Sequence, residues 1–371
     1  MAPMHIAFFI TAHGFGHAAR AAAVMAAVRR IYPAALIHAY TTVPVWFFDH
    51  VDTGPVTIRH LETDVGMVQK NPLEEDPAET LRRLNAFFPV ADSYARGLAE
   101  ELTREGVSLV VADIAPVGIV AAALAGIPSV LIENFTWDWI YAPYIRRWPG
   151  FERHIAYLAR VFDRADVRIQ AAPVCRPVPC QLTVSPVSRE ARTPPTEIRA
   201  RLGIDDEERM VLLALGGTPV TGDMLSAIRV PKGFRLVAPG GPENLAQLLR
   251  VVRLPANSGY YHPDLIRAAD AVIGKAGYST MAEIYRYGVP FGFVSRPHFR
   301  EAPIMEAFIT AELGGRLISE EMFQGGNWRR LMADLVEMPP RTAAAENGAD
   351  TIARFLVSRF GCSRIRRVTA G

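Results

Sequence analysis

Two stretches of this 371-residue chain combine residue types and spacings that suit chemistry. The first is His13-Gly14-Phe15-Gly16-His17, which directly follows a short apolar run. Imidazole exchanges protons near neutral pH, so a histidine at the mouth of a sheet can take the proton of a hydroxyl group. Such a base works best beside a carboxylate, and Asp113 closes another apolar run. The second stretch is Lys275-Ala276-Gly277-Tyr278-Ser279-Thr280-Met281-Ala282-Glu283, between the apolar run 271–273 and a helix-forming segment. Gly277 allows a ligand close to the backbone, and Ser279 and Thr280 stand where a helix start leaves N–H groups unpaired. That is an anion site, and Lys275 adds a positive charge to it. Glu283, one turn on, can accept two hydroxyl hydrogen bonds of the kind a ribose offers. Together these groups suggest a nucleoside diphosphate. The same residues also suit a plain α/β turn, with the histidines satisfied in their loop and Asp113 serving as a helix cap.

The loop at 13–17 fails other tests. Gly14 and Gly16 match the first two glycines of a dinucleotide fingerprint, but Ala19 takes the third place. Thr41 and Thr42 stand where an acidic residue would hold a ribose. The Gly-Lys-Ser/Thr of a P-loop is missing. His13 and His17 have no carboxylate near them in sequence. Cys175, Cys180 and Cys362 lack paired or Cys/His ligand spacing, so neither a metal site nor a disulfide framework is expected. The aromatic segment from Phe135 through Trp137 to Trp148, following Asn134, can bind a sugar ring or an apolar acceptor. It can equally pack a core, plug a domain interface, or face a membrane with Arg146 and Arg147. Arg296-Pro297-His298-Phe299-Arg300-Glu301 follows a strand and so falls at the sheet edge that holds 269–283. Its charges of both signs suit a polar ligand or a salt-bridged surface loop.

These groups must be positioned by alternating strands and helices. Strands at 5–11, 36–41, 56–61, 108–112, 129–132 and 167–170 alternate with helical stretches at 18–31, 78–105 (interrupted near Pro89) and 117–125. This predicts a largely parallel, doubly wound α/β sheet. Residues 67–77 read as a polar surface loop. Pro177, Pro179, Pro186, Pro194 and Pro195 mark an interdomain linker. The second half restarts with strands at 210–215, 234–238, 271–273 and 291–295, followed by helices at 302–313, 328–337 and 346–360. Gly216-Gly217-Thr218 and Pro239-Gly240-Gly241 form its Gly-rich loops. The expected divisions are 1–190, 191–345 and a last helix and tail at 346–371, and the length suffices for two cores. With 50% hydrophobic and 21% charged residues the composition is that of a soluble globular protein. A net charge of +2 calls for no nucleic-acid partner. No apolar run has transmembrane length, and the short N-terminal run reads as a strand instead of a signal peptide, so a reducing cytoplasm is expected. Arg364-Ile365-Arg366-Arg367 reads as a solvated tail or a weak contact with an anionic surface.

With these residues in hand, the chain resembles the GT-B glycosyltransferases. The similarity is to the branch that holds the UDP-GlcNAc transferase of peptidoglycan synthesis and the natural-product glycosyltransferases. His13-Gly14-Phe15-Gly16-His17 is similar to that branch's loop after the first strand, and 269–283 to its donor motif. Gly216-Gly217-Thr218 matches its second Gly-rich loop. Asp113 followed by Ala125-Gly126-Ile127-Pro128 fits its acceptor-domain pattern. The resemblance implies two facing Rossmann-like domains, with the last helix crossing back onto the first. It further implies an inverting, metal-independent transfer of sugar from a nucleotide-diphosphate sugar, UDP or TDP, to a small-molecule or lipid-linked hydroxyl acceptor. The nucleotide sugar would be a co-substrate, with no tightly bound cofactor. His17 or His13 would be the base and Asp113 its orienting group. Gly216, Gly217, Thr218, Gly240, Lys275, Gly277, Tyr278, Ser279, Thr280, Glu283, Arg296, Phe299, Arg300 and Glu301 would hold the donor. Gly14, Phe15, Gly16, Asn134, Phe135 and Trp137 would hold the acceptor. Lys275 stands where relatives often have His or Arg, and Arg296–Glu301 replaces the usual Asp/Glu-Gln pair. In that loop the chain resembles the glycosyltransferase-like part of plant arabinokinases. A nucleotide-sugar hydrolase or epimerase, or a non-catalytic nucleotide-sugar binding protein, is compatible with the same residues.

Overall fold

The computed structural model describes residues 3–49, 51, 53–71, 74–215, 228–240, 249–255, 258–297, 299–325 and 328–361. Gly216, Gly217, Thr218, His298, Cys362 and the basic run 364–367 lie outside the described residues. The first half runs β1 (His5–Ile10), β2 (Leu36–Thr41), β3 (Val56–His60), a small hairpin of β4 (Gln69–Asn71) and β5 (Glu74–Glu75), then β6 (Leu109–Asp113), β7 (Ser129–Glu133), β8 (Val167–Ala171) and β9 (Leu182–Val184). All but the hairpin join one parallel sheet in the order β3-β2-β1-β6-β7-β8-β9. The second half runs β10 (Arg209–Ala214), β11 (Phe234–Pro239), β12 (Val251–Leu254), β13 (Ala271–Lys275), β14 (Phe291–Val294) and β15 (Arg316–Ile318). Its sheet is also parallel, ordered β12-β11-β10-β13-β14-β15.

The central strands are mostly apolar and buried throughout because helices cover both faces. Every residue of β1, β6 and β7 is buried. The first helix, Phe15–Ile31, is rich in alanine, which suits helix formation and lets neighbours approach closely. Its residues Ala18 to Val28 share a core with β1 and with Ala349, Ile352, Ala353 and Leu356 of the last helix, Gly348–Phe360. The last helix thus crosses back onto the first half, as the resemblance implies. No helix among the described residues is long and apolar enough to cross a membrane.

In each sheet the strand order reverses beside the first strand, between β1 and β6 and between β10 and β13. Ligands of such sheets bind beyond the carboxyl ends of the strands at that reversal. His13 and His17 follow β1, Asp113 ends β6, and Lys275 ends β13. The two sheets place their reversal points on one cleft.

The structure departs from expectation at the margins of the sheets. Residues 67–77, expected as a surface loop, contain the β4–β5 hairpin and bury Met67 and Glu75. β9, β12 and β15 were not expected. The aromatic segment folds as a short helix, Trp137–Tyr141, and a 3-10 turn, Ala142–Arg146, against the first core.

Candidate active site

The cleft between the halves holds a cavity of about 380 Å³. His13, Gly14, Phe15, Gly16, His17, Arg20, Asn134 and Phe135 line it from the first half. Lys275, Gly277, Tyr278, Ser279, Thr280, Arg296, Phe299 and Glu301 line it from the second. The structure therefore brings together most residues singled out in the sequence.

On the first wall, β1 and β6 pair so that Ile10 lies opposite Asp113. Ile114 follows with φ 44, a backbone conformation that a β-branched residue adopts only under strain and that turns the chain just after the carboxylate. Asp113 Oδ1 lies 2.8 Å from His17 Nδ1. Arg20, one helical turn after His17, donates through Nε to Asp113 Oδ2 (2.7 Å) and through Nη2 to Oδ1 (2.5 Å). Burial acts to raise the Asp113 carboxyl, but the charge and hydrogen bonds of Arg20, then those of His17, hold it below its ordinary value. Arg20 Nη2 also lies 3.2 Å from His17 Nδ1, but the ionised Asp113 oxygen is closer, at 2.8 Å, and only accepts, so in the neutral ring Nδ1 carries the hydrogen and Nε2 keeps its lone pair.

His13 is in the opposite condition. The Met67 backbone N–H donates to its Nδ1 at 3.4 Å. Burial, then the charges of Arg296, His17 and Lys275, push its pKa down to about 3. The neutral ring must therefore carry its hydrogen on Nε2, and no free lone pair remains.

The second wall is cationic. The helix Tyr278–Tyr287 begins at Gly277 without a side-chain cap, so its first N–H groups face the cavity region unpaired. Lys275 lies beside it with no carboxylate within ion-pair distance among the described residues; burial, then Arg296, lower its pKa to about 8. Arg296 stacks its guanidinium over Phe299 (4.2 Å), and its nearest carboxylate partner, Glu301, is 3.9 Å away. A Cβ built on Gly14 or Gly16 would meet no protein atom within 4 Å, and one on Gly277 would meet only the Lys275 carbonyl at 3.9 Å. At Gly16 and Gly277 the absent side chain leaves open space beside the cavity, whereas Gly14, with φ 70, also meets a backbone conformation that favours glycine.

Other expected residues sit elsewhere. Glu283 is 1% exposed, and both its oxygens are taken: Oε1 by Arg189 (2.8 and 2.9 Å) and Oε2 by His262 Nδ1 (2.8 Å). Glu283, expected to meet a ribose, holds its carboxylate in an internal ion pair in this structure. Trp137 does not line the cavity; it is buried and donates its indole N–H to Asp64 Oδ2 at 2.7 Å. Gly240 (φ 77) ends β11 away from the cavity lining. Arg300 donates to the Trp139 carbonyl and stacks over its ring at 4.2 Å, again outside the lining.

Arg20 and Asp64 are the residues that sequence reasoning missed. Asp64 also accepts from the Thr11 hydroxyl (2.8 Å), and burial raises its pKa to about 7. It pins the start of the His13 loop to Trp137. The three-residue spacing of His17 and Arg20 was a readable sign for Arg20; no local pattern marks Asp64.

Two Rossmann-like sheets facing across one cleft, joined by a returning last helix, define the GT-B fold of glycosyltransferases, and this chain has that fold. Among solved structures, the calicheamicin glycosyltransferase CalG4 matches over all of both chains with TM-score 0.64 and 16% identity. LpCGTa, solved in complex with UDP, matches over 98% of this chain and all of its own with TM-score 0.61 and 15% identity. In sequence, L-arabinokinase of Arabidopsis thaliana is 31% identical over 359 residues, which are 94% of this chain and 34% of that protein. The UDP-N-acetylglucosamine–N-acetylmuramyl-(pentapeptide) pyrophosphoryl-undecaprenol N-acetylglucosamine transferase of Acidothermus cellulolyticus is 26% identical over 258 residues, 64% of this chain and 65% of that protein. The chain therefore spans about a third of the first of these relatives. No family model matches it.

Proposed function

We propose that the protein is a glycosyltransferase that moves a sugar from a UDP- or TDP-sugar to a hydroxyl acceptor, with inversion and without a metal step. One observation carries this reading. A single cavity has a carboxylate-oriented histidine on one wall and, on the other, a helix start with two cations, Lys275 without an ion-pair partner among the described residues and Arg296 paired only at 3.9 Å with Glu301. His17 Nε2 takes the acceptor proton as the oxygen attacks the anomeric carbon, while the bond from that carbon to the diphosphate breaks. Asp113 stabilises the imidazolium that forms. The departing diphosphate meets Lys275, Arg296 and the N–H groups at the start of the Tyr278–Tyr287 helix, which supply the charge neutralisation that a divalent ion supplies elsewhere. His17 is favoured over His13 because only His17 has a lone pair free.

The acceptor is a small molecule or a lipid-linked alcohol. The nucleotide sugar serves as co-substrate, and the protein works in a reducing compartment, the cytoplasm, with no nucleic acid involved. A thermal-shift screen of UDP, TDP and GDP tests the donor wall. Ligand at a hundred times its Kd should add about 2.7 kcal/mol of stability, and no response to any of the three overturns the reading. Nucleoside diphosphate release from UDP- or TDP-sugars, with and without hydroxyl acceptors, tests the reaction. Acceptor-dependent release supports transfer, whereas release indifferent to every acceptor identifies a hydrolase.

A further inference from the structure

We propose that Arg20, Asn134 and Glu301 form a positioning relay that ties the orientation of the His17–Asp113 pair in the first half to the loop 296–301 of the second. The chain of contacts is continuous. Asp113 holds His17 Nδ1 at 2.8 Å, and Arg20 grips both Asp113 oxygens. Arg20 Nη1 donates to Asn134 Oδ1 at 2.7 Å, and Asn134 Nδ2 donates to Glu301 Oε1 at 2.8 Å. Glu301 in turn lies 3.9 Å from Arg296, which lines the cavity. Asp113, Arg20, Asn134 and Glu301 are all buried.

The chemistry of each link allows one arrangement. Arg20 is only 1% exposed, and its charge is met by the Asp113 carboxylate, the Asn134 carbonyl oxygen and the face of Tyr278 at 4.9 Å. With its oxygen committed to a guanidinium, the Asn134 amide must turn its NH₂ toward the second half, where a carboxylate receives it. Asn134 is the joint because it alone accepts on one side and donates on the other. An aspartate there would keep Arg20 and repel Glu301; an alanine would lose both. The two-point grip of Arg20 fixes the plane of Asp113, and Asp113 fixes the ring of His17. When loop 296–301 is docked, Asn134 is held and the base is aligned. When it is displaced, the Asn134 amide keeps only the long contact to Cys175 Sγ at 3.9 Å, and Arg20 loses its stop. Arg296 gives the loop its sense of the donor: an arriving diphosphate takes Arg296, the neighbour of Glu301 within the same loop. Base alignment and donor occupancy are thereby read by one set of contacts, which leaves the base misaligned for water attack on a donor bound in an open cleft. The kinetic part of this inference rests on the transfer reaction proposed above; the structural part does not.

Asn134→Asp, Glu301→Ala and Glu301→Gln test it. The first readout needs no substrate: the downfield proton resonance of the His17 Nδ1–H, assigned by its loss in His17→Ala. In Asn134→Asp and Glu301→Ala this resonance should shift or broaden. In Glu301→Gln, whose side-chain oxygen still accepts from Asn134, it should stay close to that of the unaltered protein. The second readout is transfer. Asn134→Asp and Glu301→Ala should lose roughly ten- to a hundredfold in kcat, the range for a misplaced catalytic group, with donor KM within a few-fold. A thermal shift with UDP or TDP shows that each variant is folded. A resonance unmoved in both disruptive variants, or absent from the unaltered protein, overturns the relay. If the resonance responds as stated while no nucleotide sugar is turned over, the relay stands and the transferase reading fails.

Discussion

His13 and His17 share a cleft, but their partners assign them different work. His17 has a carboxylate on Nδ1 and an open Nε2, whereas His13 accepts from the Met67 backbone and lies edge-on to Trp137 at 5.2 Å. His17→Ala should therefore lower kcat by about 10²–10⁴, the contribution of a general base. His13→Ala should cost much less and act through packing; initial rates at saturating donor decide between them. Lys275 carries the residue-scale pH prediction. Burial, then Arg296, lowers its pKa to about 8 from the ordinary lysine value of 10.5. As pH rises past 8 the ammonium is lost, so nucleoside diphosphate affinity should decline between pH 7 and 9.5, and Lys275→Arg should flatten that decline. Stability of the empty protein moves the other way. Between the two pKa values the unfolded chain binds more protons than the folded one, so this residue's contribution rises with pH and is lost as pH falls through 8. Titration calorimetry and chemical denaturation across this range separate the two signs. Asp64 has the reverse linkage. Its folded pKa of about 7 lies above the ordinary aspartate value of 3.8, so it contributes stability below pH 4 that is lost as pH rises through 7. Asp64→Asn should flatten the fall in denaturation midpoint between pH 4 and 7.

Among the elements, the helix Tyr278–Tyr287 joins the site to the frame. Its N-terminal turn faces the cavity, while Glu283 farther along is locked to Arg189 and His262 in the interior. Removing one member of a buried ion pair strands the other, so Glu283→Ala should cost about 3–5 kcal/mol of stability. If Glu283 instead held a ribose in the working enzyme, the variant would raise donor KM and leave the denaturation midpoint nearly unchanged. That contrast shows where the sequence was readable. The run 271–283 reads correctly as strand, turn and helix, because β13 is apolar up to Lys275 and a glycine opens the helix. The role of Glu283 was not readable, because its partners Arg189 and His262 are distant in the chain. β9, β12 and β15 escaped for a different reason: they are three or four residues long and lie at or near sheet edges, where half-exposed side chains carry no burial pattern. The aromatic segment left its role open because aromatic density marks cores and binding faces alike: Phe135 lines the cavity, while Trp137 and Tyr141 stack within the core at 5.7 Å.

At the scale of the molecule, the two halves are held together around the cavity by contacts that also build it. Phe299 belongs to the loop after β14 yet is 1% exposed within the core of the first half, near Phe135 (6.2 Å) and His13 (6.0 Å). Beside it Arg300 covers Trp139, and Glu301 takes the amide of Asn134. Tyr278 lies under Arg20 and accepts from the Val187 backbone N–H at 3.3 Å. These contacts set the distance between the base and the anion-binding helix start, a distance that neither half fixes alone. Phe299→Ala removes the largest apolar side chain of this loop from its socket, and loss of a buried Phe costs about 3–5 kcal/mol. Here that cost falls on docking between the halves, because Phe299 of the second half packs into a core of the first. Lys275 and the Tyr278–Tyr287 helix are untouched by the change. Nucleoside diphosphate affinity should therefore persist within a few-fold by titration calorimetry, while transfer falls and small-angle scattering reports a larger radius of gyration. The reverse result, weakened nucleotide binding with an unchanged radius, would make Phe299 a donor contact and place closure of the cleft in the last helix and the Arg189–Glu283 pair.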